Sequence, residues 1–352
     1  MVPFRLSNRK HSMQHFLRTL FLGIAGFATL ATIAQQKPQY TQYIANQYII
    51  NPAIAGIENY TDLKLSYRQQ WQGMNDAPVT SYFTIHGPIG KKDEKETPTS
   101  FSNPGQNPRG VAYWQNYETS APHHGWGAHI INDRTGPLNT FGGYLSYAYH
   151  LGVAPNMNLS AGISGGLVNY RIDRDKLQFA TTIDPAIMNS GELSKTNLDM
   201  NAGLYLYSAN LFVGASALQI LPQKIQWKGD TLRKTEGKIV PHYFVHTGYR
   251  FLIDDDWNLT PSALLKVVQP TPPQIDFNLK LLYRDKVWGG VGFRNKEGFN
   301  AMAGLLISNR LNVSYSYDYT TSRLNNWSNG SHEIILGFLI GKRGESCPRN
   351  IW

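Results

Sequence analysis

The chain has 352 residues, a formal net charge of +9 and one cysteine, Cys347. A single cysteine excludes an internal disulfide framework, and no Cys/His cluster has the spacing of a structural zinc site. The basic residues form no concentrated stripe of the kind that nucleic acid requires, so the sequence predicts no nucleic-acid partner.

Residues 1–34 have the composition of an export signal. Four basic and no acidic residues precede an apolar run from Leu20 to Ala31, and Ala34 ends a stretch suited to a signal peptidase. The run is shorter than the roughly 20 residues of a membrane-spanning helix, so a cleaved signal is favoured over an anchor. Its removal leaves a net charge of +5, which suits a protein beside acidic lipid headgroups or phosphorylated glycolipid.

The next stretch, QQKPQYTQYIANQYIINPAIAG at residues 35–56, is rich in tyrosine and amide side chains. Five of its residues recur at helical spacing: Tyr40, Tyr43, Ile44, Gln47 and Tyr48. This spacing predicts a short amphipathic helix over residues 39–50 that ends before Pro52.

From residue 59 onwards apolar and polar side chains alternate with period two. The alternation is clear in YTDLKLSYRQQW at 60–71, NMNLSAGISGGLV at 156–168, QIDFNLKLLYRD at 274–285 and RLNVSYSYDYT at 310–320. Such a pattern predicts strands with one apolar and one polar face. Roughly 14 segments follow it, most of them about 8 to 12 residues long, close to the ~9 to 11 residues of a tilted membrane-spanning strand.

The connections between these strands fall into two classes. Short turns lie near 254–256, 284–286, 295–298 and 308–310, and longer connections near 87–108, 172–197, 219–240 and 320–331. Short turns on one side and long loops on the other are typical of an outer-membrane barrel. We therefore predict an antiparallel transmembrane β-barrel of about 14 strands over residues 59–341, followed by a tail at 342–352. A soluble all-β sandwich or propeller is the alternative.

The predicted inward faces carry charges of both signs: Lys64, Arg68, Arg250, Lys266, Lys280, Arg284, Arg294, Asp62, Asp276, Asp318 and Glu333. Mixed charges at close quarters predict a salt-bridged and filled lumen, with a small water-filled channel as the alternative. Residues 35–58 are expected either to enter this lumen as a plug or to lie along the barrel rim.

Several motifs are shared with a known family. They are Tyr43-x-x-Asn46, Ile50-Asn51-Pro52-Ala53-x-Ala55-Gly56, Tyr67-Arg68-Gln69-Gln70-Trp71-x-Gly73, Asp133-Arg134-Thr135-Gly136-Pro137 and Gly330-Ser331-His332-Glu333-Ile334. With them the sequence resembles the PorP/SprF family over essentially the whole mature chain. These are outer-membrane proteins of the type IX secretion and gliding apparatus of Bacteroidetes.

The resemblance implies a non-enzymatic barrel in the bacterial outer membrane that supports secretion or surface anchoring of a partner protein. It implies three partners: a secreted surface protein such as a large adhesin with a type B C-terminal domain, other type IX components, and outer-membrane lipid. We expect the long loops, such as 87–108 and 219–240, to face outward and to dock the secreted partner. The sequence predicts no cofactor and no metal site.

Two other functions remain open. A barrel with an N-terminal plug also suits an outer-membrane porin or a transporter of hydrophobic compounds. A lipid-modifying enzyme would need a nucleophile, and Gly162-Ile163-Ser164-Gly165-Gly166 matches the G-x-S-x-G pattern of hydrolases. That motif lies inside an alternating strand and not at a strand-to-helix turn, so it does not predict catalysis.

Seven residues are candidate structural or plug residues: Tyr40, Tyr43, Asn46, Asn51, Pro52, Arg68 and Trp71.

Overall fold

The computed structural model describes residues 38–91, 117–177, 193–225, 237–254, 256–284, 286–308 and 310–341. The predicted export signal at 1–34, the tail at 342–352 and residues 92–108 of one predicted long loop lie outside the described residues. The described chain forms a closed antiparallel barrel of 14 strands, as the alternation predicts.

The strands are β1 Thr61–Gln69, β2 Val79–Ile89, β3 His123–Thr135, β4 Leu138–Ala154, β5 Met157–Ile172, β6 Ser194–Tyr207, β7 Leu211–Leu218, β8 Gln223–Ile225, β9 Gly237–Ile239, β10 His242–Tyr249, β11 Phe251–Leu252, β12 Trp257–Val268, β13 Gln274–Tyr283, β14 Val287–Arg294, β15 Gly298–Ser308, β16 Leu311–Thr320 and β17 Ser331–Ile340. The short strands β8 and β9 form a separate ribbon. Only Arg250 separates β10 from β11, so the two count as one strand of the barrel.

Closure of the barrel depends on three pairings. The last strand, β17, pairs with β1, and β10 pairs with both β7 and β12. Every other barrel strand pairs with its neighbours in the chain. No barrel strand therefore presents a free edge, which is the condition for a sheet to cross a bilayer.

The strand faces are arranged as a membrane barrel requires. On β13, Phe277 and Leu279 are 54% and 42% exposed, whereas Asp276 and Asn278, which alternate with them, are buried. The same alternation of exposed apolar and buried polar side chains recurs on β1, β5 and β16. A soluble sandwich or propeller would bury the apolar face, so that alternative is wrong.

Because consecutive barrel strands run in opposite directions, each connection belongs to one of two ends. The loop end carries the connections β1–β2, β3–β4, β5–β6, β7–β10, β12–β13, β14–β15 and β16–β17. The turn end carries the connections β2–β3, β4–β5, β6–β7, β11–β12, β13–β14 and β15–β16.

The prediction that all long connections share one side is wrong in one case. The 87–108 region begins inside β2, which continues to Ile89, and its chain leaves the barrel at the turn end. The short 295–298 turn lies at the opposite end, beside the longer loops. Alternation locates single strands, but the end of each connection depends on counting every strand before it.

The predicted helix over residues 39–50 is also wrong. The chain forms separate 3-10 turns, Thr41–Ile44 and Gln47–Ile49, and a third follows at Pro52–Ile54. Asn46 between the first two is not helical, with φ −144° and ψ 74°. The segment is buried on all sides, so hydrogen bonds to the barrel wall replace continuous helical bonds. Two more 3-10 turns occur, at Arg174–Lys176 and Arg323–Asn326, and no helix of the described chain is long and apolar enough to cross a membrane.

We expect Leu279→Arg to destabilise the barrel far more than Lys280→Gln. Leu279 faces outward near the middle of β13, where an arginine costs about 2 to 4 kcal/mol in a bilayer. Lys280 points inward, half-buried, with its Nζ 4.7 Å from the Trp288 ring, and glutamine keeps a polar side chain at this position. Urea unfolding from lipid vesicles measures both. An equal loss of stability in the two variants, or a larger loss in Lys280→Gln, would contradict the assignment of the two faces of β13.

Candidate functional site

The interior of the barrel is occupied by residues 38–60, which we call the lumen segment. At the loop end Gln39 Oε1 accepts a hydrogen bond of 3.4 Å from Arg294 Nη1, and its amide donates to Glu297. At the turn end the carbonyl of Gly56 lies 3.2 Å from His123 Nε2. The segment therefore runs the length of the lumen before β1 begins.

Apolar packing holds the middle of the lumen segment. Tyr43 and Ile50 are almost fully buried, and they cluster with Phe244 and Leu264 of the wall. Tyr40 packs edge-on against Tyr82 of β2, with 5.6 Å between ring centroids. A second cluster surrounds residues 53–57. Large side chains thus fill the space that a porin would leave to water.

An ion cluster holds the first turn of the segment. Arg68 lies between two carboxylates, with Nη2 2.5 Å from Asp318 Oδ2 and Nη1 3.2 Å from Glu333 Oε2. Thr41 completes the cluster: its backbone N–H donates to Glu333 over 3.0 Å, and its hydroxyl donates to Asp318 over 2.7 Å. The same hydroxyl accepts from Arg68 over 2.6 Å. The buried Glu333 and the partly buried Asp318 therefore both bind the wall arginine and the lumen segment at once.

Amide and hydroxyl groups make the next set of contacts. Asn46 Nδ2 donates to Thr84 of β2 over 3.0 Å, and the Tyr48 hydroxyl donates to Ser146 of β4 over 2.8 Å. On the other side, Asn278 of β13 donates to the Tyr43 hydroxyl over 2.9 Å. These partners lie on three different strands, so the segment is anchored to opposite sides of the wall.

The Asn-Pro-Ala stretch is held mainly through its backbone. Asn51 Oδ1 accepts from Ala53 N over 3.0 Å and caps the third 3-10 turn, and Asn51 Nδ2 donates to the Leu204 carbonyl over 3.0 Å. Ser160 donates to the Ala53 carbonyl over 2.7 Å. A Cβ on Gly162 would lie 2.5 Å from the Ala53 backbone, so only glycine permits this approach.

Two stacked histidines hold the end of the segment. The rings of His123 and His150 are 4.5 Å apart and parallel within 3°. His150 Nε2 lies 2.8 Å from the Ala55 carbonyl, beside the Gly56 contact of His123. Tyr207 supports His150 through a 3.1 Å contact at Nδ1.

The seven residues selected from the sequence do not all meet. Six of them are part of the lumen segment or bind it directly: Tyr40, Tyr43, Asn46, Asn51, Pro52 and Arg68. Trp71 lies outside this network, in the connection after β1, with a left-handed φ of 53°. It lines a cavity of about 250 Å³ at the loop end, together with Gln39.

Most of the predicted inward charges are buried in the lumen. Arg294 Nε lies 2.9 Å from Asp276 Oδ2, and Lys64 pairs with Asp62. The prediction that Arg284 points into the lumen is wrong. This residue lies in an exposed turn at the turn end, because β13 stops at Tyr283. Asp256 accepts two hydrogen bonds from Arg284, at 2.9 and 3.0 Å, and raises the pKa of the guanidinium.

Several wall residues that bind the segment were not selected from the sequence: Thr84, His123, Ser146, His150, Ser160, Ser216 and Asn278. Each occupies a polar, inward position of an alternating strand. The alternation could have placed them in the lumen, but it gives no information on which of them meet the N-terminal segment.

The described residues offer little of the geometry that catalysis or metal binding requires. Ser164 of the G-x-S-x-G match lies inside β5, where it accepts a 2.7 Å hydrogen bond from Asn201. The strained turn of a hydrolase nucleophile is therefore missing at this position. Within the described part of the chain, no group of three or more His, Cys, Asp or Glu side chains could hold a metal ion. The arrangement is suited to holding a peptide in the lumen.

A closed barrel with an apolar exterior and a polar, occupied interior defines an outer-membrane β-barrel protein. Comparison of the sequence with protein families agrees with this class of protein. The chain belongs to the PorP/SprF family of type IX secretion system membrane proteins, whose sequence profile matches residues 32–338. Comparison with curated proteins finds no significant match.

Solved outer-membrane barrels are similar in fold only. Omp33 of Acinetobacter baumannii matches with 10% identity and a TM-score of 0.45, over 81% of this chain and 100% of that one. A FadL homologue of Pseudomonas aeruginosa matches with 10% identity and a TM-score of 0.45, over 86% and 93%. The toluene transporter TodX of Pseudomonas putida matches with 7% identity and a TM-score of 0.43, over 87% and 94%.

Proposed function

We propose that this protein is a sealed, non-enzymatic barrel that anchors a secreted surface protein at its loop end and contacts type IX components at its turn end. The observation that carries the proposal is the filled lumen. Wall side chains from at least seven strands bind the lumen segment, which is buried from Tyr43 to Ile57 apart from its partly buried residues 44 and 45. A sealed barrel leaves its two mouths as the surfaces on which it acts.

The loop end is the better candidate for the secreted partner. Longer loops of bacterial outer-membrane barrels face outward, and β1 and β17 place the chain ends of the barrel at the turn end. Two loop-end connections, β1–β2 and β16–β17, are joined by backbone hydrogen bonds. Gln72 N donates to the Gly330 carbonyl over 2.8 Å, and Asn329 N donates to the Gln72 carbonyl over 2.7 Å. Trp327 beside them is 74% exposed. An exposed tryptophan on a braced loop is the kind of residue that dominates protein interfaces.

The turn end carries the one long connection that leaves on that side, residues 90–122. Where the described chain resumes, Thr119 N donates to the Pro155 carbonyl over 2.9 Å and Ser120 N donates to Asn158 over 3.0 Å. With the turn end in the periplasm, this connection faces the periplasmic part of the secretion system. In this proposal the connection does not dock the secreted partner. The sequence had led us to expect the opposite, namely that residues 87–108 would dock it.

Affinity isolation from outer membranes, followed by mass spectrometry, tests the proposal. Trp327→Ser should weaken binding of a secreted surface protein by about thirtyfold or more, and lower its recovery accordingly, since an interface tryptophan contributes about 2 kcal/mol or more. Replacing residues 91–106 with a Gly-Ser turn should keep that protein and lose periplasmic components.

Arg284→Gln, an exposed change at the turn end, is the matched control. Loss of the surface protein on replacing 91–106, but not in Trp327→Ser, would contradict the assignment of the two ends. High conductance of the unaltered barrel in planar bilayers would instead favour a porin or a hydrophobic-compound transporter.

A further inference from the structure

Two arginines point outward from the barrel wall at the loop end. Arg134 of β3 pairs in register with Asn139 of β4, which pairs with Arg171 of β5. Tyr170, the neighbour of Arg171, is buried in the lumen, so Arg171 lies on the outer face. Both arginines are exposed. One strand separates them, which places their backbones roughly 10 Å apart.

The apolar belt of the barrel ends directly below this pair. Phe141 is two residues from Asn139 on the same face of β4 and is 52% exposed. Ile130 and Leu167 continue the belt on the flanking strands, at 44% and 54% exposure. The two guanidinium groups therefore lie where hydrocarbon gives way to lipid headgroups.

The arginines open onto a cavity of about 590 Å³ with a basic lining. Four basic side chains line it, Arg134, Arg171, Arg174 and Lys176, against two acidic ones, Asp173 and Asp175. Lys176 is paired with Asp76 over 2.6 Å. Among the described residues, neither Arg134 nor Arg171 has a carboxylate within ion-pair distance, so both guanidinium groups can accept an anion from outside.

Backbone hydrogen bonds hold the cavity walls in place. Gly136 N donates to the Asp76 carbonyl over 3.1 Å, Asp173 N to the Pro137 carbonyl over 2.8 Å, and Ile172 N to the Leu193 carbonyl over 2.9 Å. Three separate connections are thereby tied into one rim, which reduces the entropy that binding would cost.

We propose that Arg134 and Arg171 bind a phosphate group of a glycolipid in the outer leaflet of the membrane. Arginine forms paired hydrogen bonds with phosphate oxygens, and two long arginine side chains about 10 Å apart can close around one phosphate. Phe141 and the apolar belt beneath supply the contact for the acyl chains. The proposal depends on the loop end facing outward, and it is independent of which protein the barrel anchors.

Native mass spectrometry of the full barrel in detergent tests the proposal. The probes are diphosphorylated lipid A, the same lipid without phosphates, and inorganic phosphate. The unaltered protein should retain diphosphorylated lipid A, and the dephosphorylated lipid should bind at least tenfold more weakly. Each of Arg134→Gln and Arg171→Gln should weaken binding about tenfold, because each removes a charge-assisted hydrogen bond.

Arg284→Gln is again the matched control, an exposed arginine at the opposite end, and it should leave lipid binding unchanged. Equal retention of the dephosphorylated lipid would overturn the proposal, and so would equal loss in Arg284→Gln. Inorganic phosphate that competes at the same concentration as the lipid would show that the site takes free phosphate and not a glycolipid. Because both arginines are exposed, the variants should fold, and gel migration with and without heating verifies this.

Discussion

Deleting residues 39–50 should turn the barrel into a conducting channel. The deletion removes Tyr43, Tyr48 and Ile50, whose side chains fill the centre of the lumen, and it removes no strand. The exposed wall is polar, with Thr84, Ser146 and other hydrogen-bonding groups, so water should enter the vacated space. Single-channel recording in planar bilayers should show stable conductance for the deletion and almost none for the unaltered protein.

A second variant separates the specific contacts of the segment from its bulk. Replacing 39–50 with a Gly-Ser chain of equal length keeps a peptide in the lumen but removes the aromatic packing and the hydrogen bonds. We expect an intermediate and fluctuating conductance, since a flexible chain blocks a pore only part of the time. A deletion variant that still inserts and resists detergent, yet does not conduct, would contradict the sealing role of the segment.

Arg68→Met should be the most destabilising single substitution in the lumen. Arg68 is 3% exposed and lies between Glu333 and Asp318, so its loss leaves buried carboxylate charge without a cation. Breaking a buried ion pair in this way costs about 3 to 5 kcal/mol. The urea midpoint of unfolding from vesicles should fall accordingly. Thr41 should also lose its hydrogen bond from Arg68, which loosens the start of the lumen segment, so some conductance should appear.

The controls for this prediction lie within the chain. Arg284→Met removes an arginine paired with a carboxylate on the surface, and it should leave the urea midpoint nearly unchanged. Arg68→Met combined with Glu333→Gln should recover part of the loss, because the most deeply buried charge is then gone. If Arg68→Met and Arg284→Met shift the midpoint equally, the ion cluster contributes little to stability.

The sequence predicts which residues face the lumen, but not which of them contact each other there. The inward positions of Arg68, Asp276 and Glu333 follow from alternation alone. Their partners do not, because the Thr41–Glu333 contact joins residues 292 apart in the chain. The predicted inward position of Arg284 was wrong for a related reason. The alternation of apolar and polar residues continues beyond Tyr283 in the sequence, but the strand ends there and the chain turns.

The barrel, its two faces and its family follow from the order of the residues alone. Side chains alternate with period two on any strand, so a run such as residues 274–283 specifies which groups meet lipid before any pairing is known. The path of residues 38–60 and the end at which each connection lies depend instead on contacts between residues far apart in the chain. The helical spacing of the tyrosines gave way to 3-10 turns because a surrounding wall offers hydrogen bonds on every side. Closure of 14 strands, which no single segment encodes, placed the long connection after β2 at the turn end.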